Sequence, residues 1–296
     1  MSGFPARYDR SIRLFGAEGQ RKLRQTKVVV VGVGGLGSSL AQHIALLGLG
    51  EAALVDDQEL DETNRNRFVG ARSSDSVPGS PKVELAVRLI REINPEVVTV
   101  PIKRSLVTSE AFDVIKNADW VFGCLDEDGP RFILNELCAA YAIPYVDLAS
   151  DVPEPGIYGG RVCIASDGKG CVSCLRVLDQ RSVRRYLATE EEREKEDAIY
   201  GISRLALGEA GPSVSPINGV IAALAATEFM VAATGMRAPT RLLEYRAHIS
   251  KVLVINDAPS PNCYYCRGIR GKQAEADAER YLKVPHLRDG TMTARA

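Results

Sequence analysis

Apolar positions along the first 150 residues alternate between two rhythms. Lys27–Val31 (KVVVV) is a short β-branched run, followed by glycines and then by a stretch of helical spacing, Ser38–Leu47. A second apolar run, Ala52–Val55, ends in Asp56. Lys82–Asn94 places Val83, Ala86, Val87 and Ile90 on one helical face, and Asn94-Pro95 stops it. Val97–Ile102, Trp120–Gly123 and Pro144–Leu148 read as strands, with Ser109–Lys116 and Pro130–Ala142 as helices between them. This repeated β-α-β-α order predicts an α/β, Rossmann-like, mostly parallel sheet with helices on both faces.

The second half breaks the rhythm. Tyr158–Ala165 and Thr240–Ile255 read as strands with no crossover helix before them, so antiparallel C-terminal additions to the sheet are expected. Arg176–Ala210 lies between them and carries the charge run Glu190–Asp197 (EEEREKED), expected as a solvated helix or mobile loop. From Arg267 onward the chain is polar and is expected to form a loosely held helix or tail. The organisation expected is therefore one domain over 1–266, with halves at 1–150 and 151–266, and a tail over 267–296.

Charge narrows the partners. Thirty-seven basic residues against 38 acidic ones leave a net charge of −1, and no basic field points to nucleic acid. The first residues, MSGFPARYDRSIRLFG, lack the apolar core of a secretory signal. The longest apolar stretch, Ile217–Ala233, is interrupted by Asn218, Thr227 and Glu228, which suits a buried or amphipathic helix better than a membrane span. A cytoplasmic protein without a membrane partner is expected.

The strongest local signal follows the first strand. Gly32-Val33-Gly34-Gly35-Leu36-Gly37-Ser38 matches G-x-G-x-x-G with a strand before it and a helix after it. Glycines there permit a tight turn and close approach of phosphates to the positive end of a helix. Asp56 ends the next strand, where a carboxylate can hold ribose hydroxyls. Taken alone, this signals a nucleotide, NAD by default, or a purely structural turn.

Four further features do not belong to a dehydrogenase. Asp61-Glu62-Thr63-Asn64-Arg65-Asn66-Arg67-Phe68 sets an asparagine and an arginine three apart. Gly79-Ser80-Pro81-Lys82 opens a helix with a lysine able to face a phosphate. Gly123-Cys124-Leu125-Asp126 stands at the carboxyl end of a strand, the edge where open α/β sheets bind ligands. Cys171-Val-Ser-Cys174 and Cys263-Tyr-Tyr-Cys266 form two C-x-x-C pairs, and four thiolates from two such knuckles make a closed, structural zinc site. A redox dithiol or four buried thiols are the other readings of those pairs.

In the order RYDRSIRLFG, GVGGLGS, VDDQELDETNRNRF, SPK, GCLD and paired C-x-x-C, the chain from Arg7 to Cys266 resembles the ThiF/MoeB/HesA family of ubiquitin-activating-type adenylyltransferases. The resemblance implies ATP held by Gly32, Gly34, Gly35, Gly37, Asp56, Asn64, Arg67 and Lys82, with Asp56 on the ribose and Asn64, Arg67 and Lys82 on the phosphates. It implies a magnesium ion on Asp126, and a homodimer in which Arg10 enters the partner's active site. Read as isolated residues, Arg67 fits a surface ion pair, Lys82 a solvated first-turn residue, Asp126 a loop or cap carboxylate, and Arg10 a surface side chain. Three positions depart from the family: Phe68 stands where glutamine is common, the loop Gly70–Pro81 is slightly long, and Glu127 replaces an asparagine.

Cys124, Cys138 and Cys163 remain. Arg176–Pro212 contains no cysteine, although relatives that form a thioester often carry the nucleophile in that crossover. Cys138 and Cys163 are expected as buried packing residues, leaving Cys124 the best remaining nucleophile. The resemblance therefore implies adenylation of the C-terminal glycine of a small ubiquitin-fold or sulfur-carrier protein ending in Gly-Gly. The activated tail passes to a downstream sulfur donor or conjugating enzyme. The segment Ala149–Gly160 (ASDVPEPGIYGG), rich in Gly and Pro, is expected to line the groove for that tail. The competing functions are adenylation of a peptide or nucleoside carboxylate, an NAD-dependent oxidoreductase, and a silent scaffold subunit. The last two leave Arg67, Lys82 and Asp126 without roles.

Overall fold

β1 (Lys27–Val31) is buried at four of its five positions, as expected of a strand covered on both faces. It pairs in parallel with β2 (Glu51–Val55) on one side and with β4 (Trp120–Gly123) on the other. The computed structural model describes residues 3–154, 156–194, 213–255 and 259–288. Its sheet has eight strands in the order β3-β2-β1-β4-β5-β6-β7-β8, with β3 at Val98–Ile102, β5 at Tyr145–Glu154 and β6 at Ile157–Ala165. β7 (Leu242–Arg246) and β8 (Lys251–Val254) complete it. β1 to β5 run parallel; β5–β6, β6–β7 and β7–β8 are antiparallel. The order reverses between β1 and β4, and such a switch point opens a crevice at the carboxyl ends of the strands.

Two apolar layers cover the sheet. On one face lie α2 (Gly35–Leu47), α3 (Lys82–Ile93) and α7 (Ser215–Thr234), packed with the inward residues of β1, β2, β5 and β6. α1 (Asp9–Gln25) is two helical pieces meeting at Gly16 (φ 76°), and it rests on α7. Tyr8, just before it, is buried and accepts a hydrogen bond from Asn94 Nδ2 at 2.7 Å, which pins the chain start to the end of α3. α7 is long and apolar enough to cross a membrane by composition alone, yet it packs along α2, β5 and β6. The opposite face carries α4 (Ser109–Lys116), α5 (Asp128–Ala140) and α6 (Gln180–Leu187).

The structure extends one reading and corrects two. Ala149–Gly160 is mostly hairpin, because β5 runs on to Glu154 and pairs back through Asp151↔Gly159 and Glu154↔Ile157 around an irregularity. Backbone pairing takes up Ala149–Asp151 against Gly159–Arg161, and Glu154 against Ile157. Thr240–Ile255 is two strands, broken by a turn at Ala247–Ile249 and left-handed Ser250 (φ 55°). The segment after Arg267 is docked over its described part: Ile269, Ala276, Ala278, Tyr281 and Leu287 are buried in the layer that holds α5 and the C-x-x-C cysteines. Of the charge run Glu190–Asp197, residues 190–194 are helical; the rest, like the tail after 288, lies outside the described residues.

A buried carboxylate explains the docking. Glu136 on α5 is almost fully enclosed and receives both Arg280 Nη atoms, at 2.5 and 3.0 Å, and the Tyr281 hydroxyl at 2.8 Å. Removing the arginine leaves a buried charge half-satisfied, so Arg280→Ala is expected to cost about 2 kcal/mol in denaturant unfolding. Lys116→Ala, which breaks partly exposed pairs to Asp113 and Glu279, is expected to cost about 1 kcal/mol or less.

Candidate functional site

The loop after β1 turns against the loop after β4. Gly32 adopts φ 87°, and a Cβ there would stand 2.6 Å from the Cys124 carbonyl oxygen. Gly37 presses as closely on Gly32, where a Cβ would lie 2.1 Å from its carbonyl oxygen. Any side chain at either position would force the two loops apart. Gly35 is roofed by Arg67 and by the buried Asn218 of α7, whereas above Gly34 the space is open. The loop thus meets the N-terminus of α2 with one open glycine, a place that admits an anion.

Asp56, at the end of β2, accepts the Val33 N–H at 2.6 Å and the Gln58 N–H at 2.8 Å. Burial pushes its carboxyl up; Lys82 and the two N–H groups pull the other way. Backbone bonds from Leu60 N to Ser80 O (2.8 Å) and from Lys82 N to Gln58 O (3.0 Å) tie the two segments together. Lys82, at the first position of α3, is therefore buried, with its Nζ 2.5 Å from Gln58 Oε1. It is not a solvated first-turn lysine.

Asn64 and Arg67 ride on a short turn, Glu62–Asn64, capped by Asp61, whose Oδ1 accepts the Thr63 N–H at 2.8 Å. Hydrogen bonds from the Thr63 hydroxyl and from its N–H, with Lys82 and Arg67 nearby, hold Asp61 below the usual carboxylate range. Arg67 Nη1 donates to the Thr63 carbonyl at 2.5 Å while its stem covers Gly35. Phe68, the departure from the family pattern, is a core residue. The long loop after Gly70 is braced by Asp75, whose carboxyl the Arg88 guanidinium holds down at about 2.

Asp126 is exposed beyond β4 and next to the half-buried Glu127, whose carboxyl is raised by burial and then by Asp126. Tyr186 of α6 lies over Gly129, where a Cβ would meet its ring at 2.1 Å. Burial, then Glu127 and Asp57, push the Tyr186 hydroxyl up to about 12, so α6 borders the loops after both β2 and β4. The glycine loop, Asp56, Asn64, Arg67, Lys82 and Asp126 all lie at the carboxyl edge of the sheet around the switch point. Arg10 is elsewhere, exposed on the first turn of α1. The sequence reading missed Asn218, Gln58, Tyr186 and Arg131. Of these only Asn218, a polar break in an apolar helix, left a signal.

The four C-x-x-C thiols converge. Their sulfurs lie within 4.8 Å of one another, with Cys171–Cys174, Cys171–Cys263 and Cys174–Cys266 at 3.8, 3.7 and 3.9 Å. Zinc–sulfur bonds of about 2.3 Å set tetrahedral sulfur separations of about 3.8 Å, so the donor set fits zinc. A hydrogen bond from the Cys266 thiol lowers Cys171, as expected of crowded sulfurs sharing a proton. Cys124, Cys138 and Cys163 are buried, and burial raises all three well above an ordinary thiol. Cys124 is therefore a poor nucleophile despite its place beside the site.

The model of the ThiF family matches residues 8–266. The molybdopterin-synthase adenylyltransferase of Escherichia coli (strain K12) is 30% identical over 264 residues, 88% of this chain and 95% of that protein. The SAMP-activating enzyme E1 of Haloferax volcanii is 37% identical over 171 residues, 57% of this chain and 61% of that protein. Among solved structures, E. coli MccB superposes with a TM-score of 0.68 at 23% identity, over 90% of this chain and 73% of that one, a likeness of fold.

Purified protein is expected to carry one zinc per chain by metal analysis. A chelator under denaturant should release it and expose all seven thiols, four of them only on loss of the metal. Cys263→Ser should lose the metal and lower the melting temperature by several degrees, since a closed zinc site contributes directly to folding.

Proposed function

The chain belongs to the ThiF family, and on that premise we propose that it is a cytoplasmic, ATP-dependent adenylyltransferase acting on the C-terminal glycine of a small ubiquitin-fold or sulfur-carrier protein ending in Gly-Gly. The observation that carries this reading is the gathering of an open glycine loop, Asp56, Arg67, Lys82 and Asp126 at one sheet edge. A dehydrogenase has no use for the last three.

In the reaction a carboxylate oxygen of the tail attacks the α-phosphorus of ATP. The bond from that phosphorus to the bridging oxygen breaks, and pyrophosphate leaves with its electron pair. No proton has to be abstracted, so a site without histidine suffices. Charge accumulates on oxygens already anionic, and fixed cations stabilise it. Asp56 takes the ribose hydroxyls; Asn64, Arg67 and Lys82 take the phosphates. Asp126 would hold a magnesium ion, which would supply Lewis-acid neutralisation of the phosphoryl oxygens. Asp126 suits this role because it is exposed, with the half-buried Glu127 beside it.

The name of the E. coli relative, an adenylyltransferase for molybdopterin synthase, and that of the SAMP-activating enzyme support a protein tail as the acyl group. The seven cysteines are either in the four-thiol cluster or buried. The acyl-adenylate is therefore passed on, to a sulfur donor or a conjugating enzyme, without an internal thioester. The working unit is a homodimer in which Arg10 of each chain serves the other's site.

ATP–pyrophosphate exchange run with a panel of small ubiquitin-fold proteins tests the reading. Exchange should depend on a panel member and fall at least ~100-fold in Asp126→Ala, the scale of losing one charge-stabilising group. Magnesium-ATP binding without exchange would shift the acceptor to a peptide or nucleoside carboxylate; binding of NAD in place of ATP would sink the proposal. Mixing Arg10→Ala with Asp126→Ala protein should restore partial activity, and no rescue would remove the shared site.

A further inference from the structure

Arg131 lies in the first turn of α5, five residues after Asp126, with its side chain almost wholly enclosed. Its Nε donates to the Leu125 carbonyl at 3.0 Å, and its Nη2 donates to the same oxygen. Nη2 also reaches the Leu148 carbonyl on β5 at 3.4 Å, and Nη1 the Asp128 Oδ1 at 3.2 Å. The Leu125 carbonyl belongs to the peptide joining Leu125 to Asp126. A planar fork therefore grips that peptide and ties it to the next strand.

The grip is itself held from below. Asp147 on β5 is fully buried, with its Oδ1 3.6 Å from Arg131 Nε and accepting the Tyr145 hydroxyl at 2.9 Å. Tyr145 fills the space beside Gly123, where a Cβ would lie 2.5 Å from its hydroxyl. The other oxygen, Oδ2, has Arg161 Nη2 at 3.9 Å, and among the described residues neither Oδ2 nor Arg161 Nε finds a hydrogen-bond partner. An enclosed carboxylate between two guanidinium groups is an expensive way to fill a core. Its effect here is to fix the orientation of Arg131.

We propose that Arg131, braced by Asp147, is a positioning residue that sets the Leu125–Asp126 peptide and thereby aims the Asp126 carboxylate at the metal-nucleotide. The inference rests on Asp126 being the magnesium-binding carboxylate of the proposed reaction. Arg131 touches no reacting atom. Lysine supplies the charge at this place but has no fork, so it cannot hold the Leu125 and Leu148 carbonyls and Asp128 together.

The test is calorimetric titration of ATP into full-length protein, with and without magnesium, for wild type, Arg131→Lys, Asp147→Asn, Asp126→Ala and the Arg131→Lys/Asp126→Ala double variant. The magnesium-dependent gain in ATP affinity is expected to shrink at least ~5-fold in Arg131→Lys and in Asp147→Asn, while magnesium-free affinity stays within about two-fold of wild type. The double variant should be no worse than Asp126→Ala alone, because both act through one carboxylate. Amide exchange over residues 124–128 should accelerate in Arg131→Lys, with the rest of β4 and α5 as protected as in wild type. A full magnesium gain in Arg131→Lys, alongside its loss in Asp126→Ala, would overturn the positioning role and leave the function reading intact. A full gain in Asp126→Ala itself would remove the metal role of Asp126, and the positioning role with it. Uniform loss of protection across the sheet would show Arg131 as a folding residue only, and would also overturn the proposal.

Discussion

Two backbone loops that meet without side chains between them govern the layout of this molecule. Gly32 leaves β1 with a positive φ and lies against the carbonyl of Cys124 beyond β4, while Gly37 closes on Gly32 from the start of α2. A Cβ at either place would enter a carbonyl oxygen. Because the loops touch, everything at the carboxyl ends of β1 and β4 is drawn to one crevice. Asp56 reinforces the contact from β2 by accepting the Val33 N–H inside the glycine loop. The carboxylate expected to serve a ribose thus also serves the loop, so the nucleotide site is set before any ligand arrives.

Most of the parallel half was legible in the sequence because its signals are local. A buried β-branched run, a glycine turn and a helix with one apolar face each declare themselves within about a dozen residues. The antiparallel half was less legible. Ala149–Gly160 carries the turn residues glycine and proline and read as strand only from Tyr158, yet pairing with β6 recruits much of it into a hairpin. That pairing is a tertiary fact, and local propensity does not carry it. The segment after Arg267 was misjudged for a related reason. Its docking depends on Glu136, 144 residues earlier than Arg280, and no short window contains both.

The candidate site divides in the same way. Motif spacing led to the glycines, Asp56, Asn64, Arg67, Lys82 and Asp126, all of which the fold sets along one edge. It gave no access to what orients them. Gln58 accepts the Lys82 ammonium, Asn218 roofs Gly35, and Tyr186 covers Gly129. These contacts join residues 24, 183 and 57 apart in the chain, and none has a spacing that a motif could encode.

α5 is the element through which the candidate site and the docked segment after Arg267 meet. Its first turn carries Arg131, which holds the peptide before Asp126, and Asp128, which receives the Asp179 N–H at 2.7 Å as α6 begins. Its middle carries Glu136, the anchor for Arg280 and Tyr281. Its far side carries Cys138, packed in the apolar layer that also buries Cys171, Cys263 and Cys266. The thiol cluster and the docked segment after it therefore press on the helix whose opposite end frames the candidate metal carboxylate. Buried ion pairs such as Asp147–Arg131 and Glu136–Arg280 contribute little net stability against an apolar core of equal volume. They do constrain which way a helix can sit, because each has one arrangement that satisfies its charges. Two such constraints, one in the first turn of α5 and one further along it, leave the helix little freedom to slide or turn, and Asp126 inherits that fixity through a single peptide.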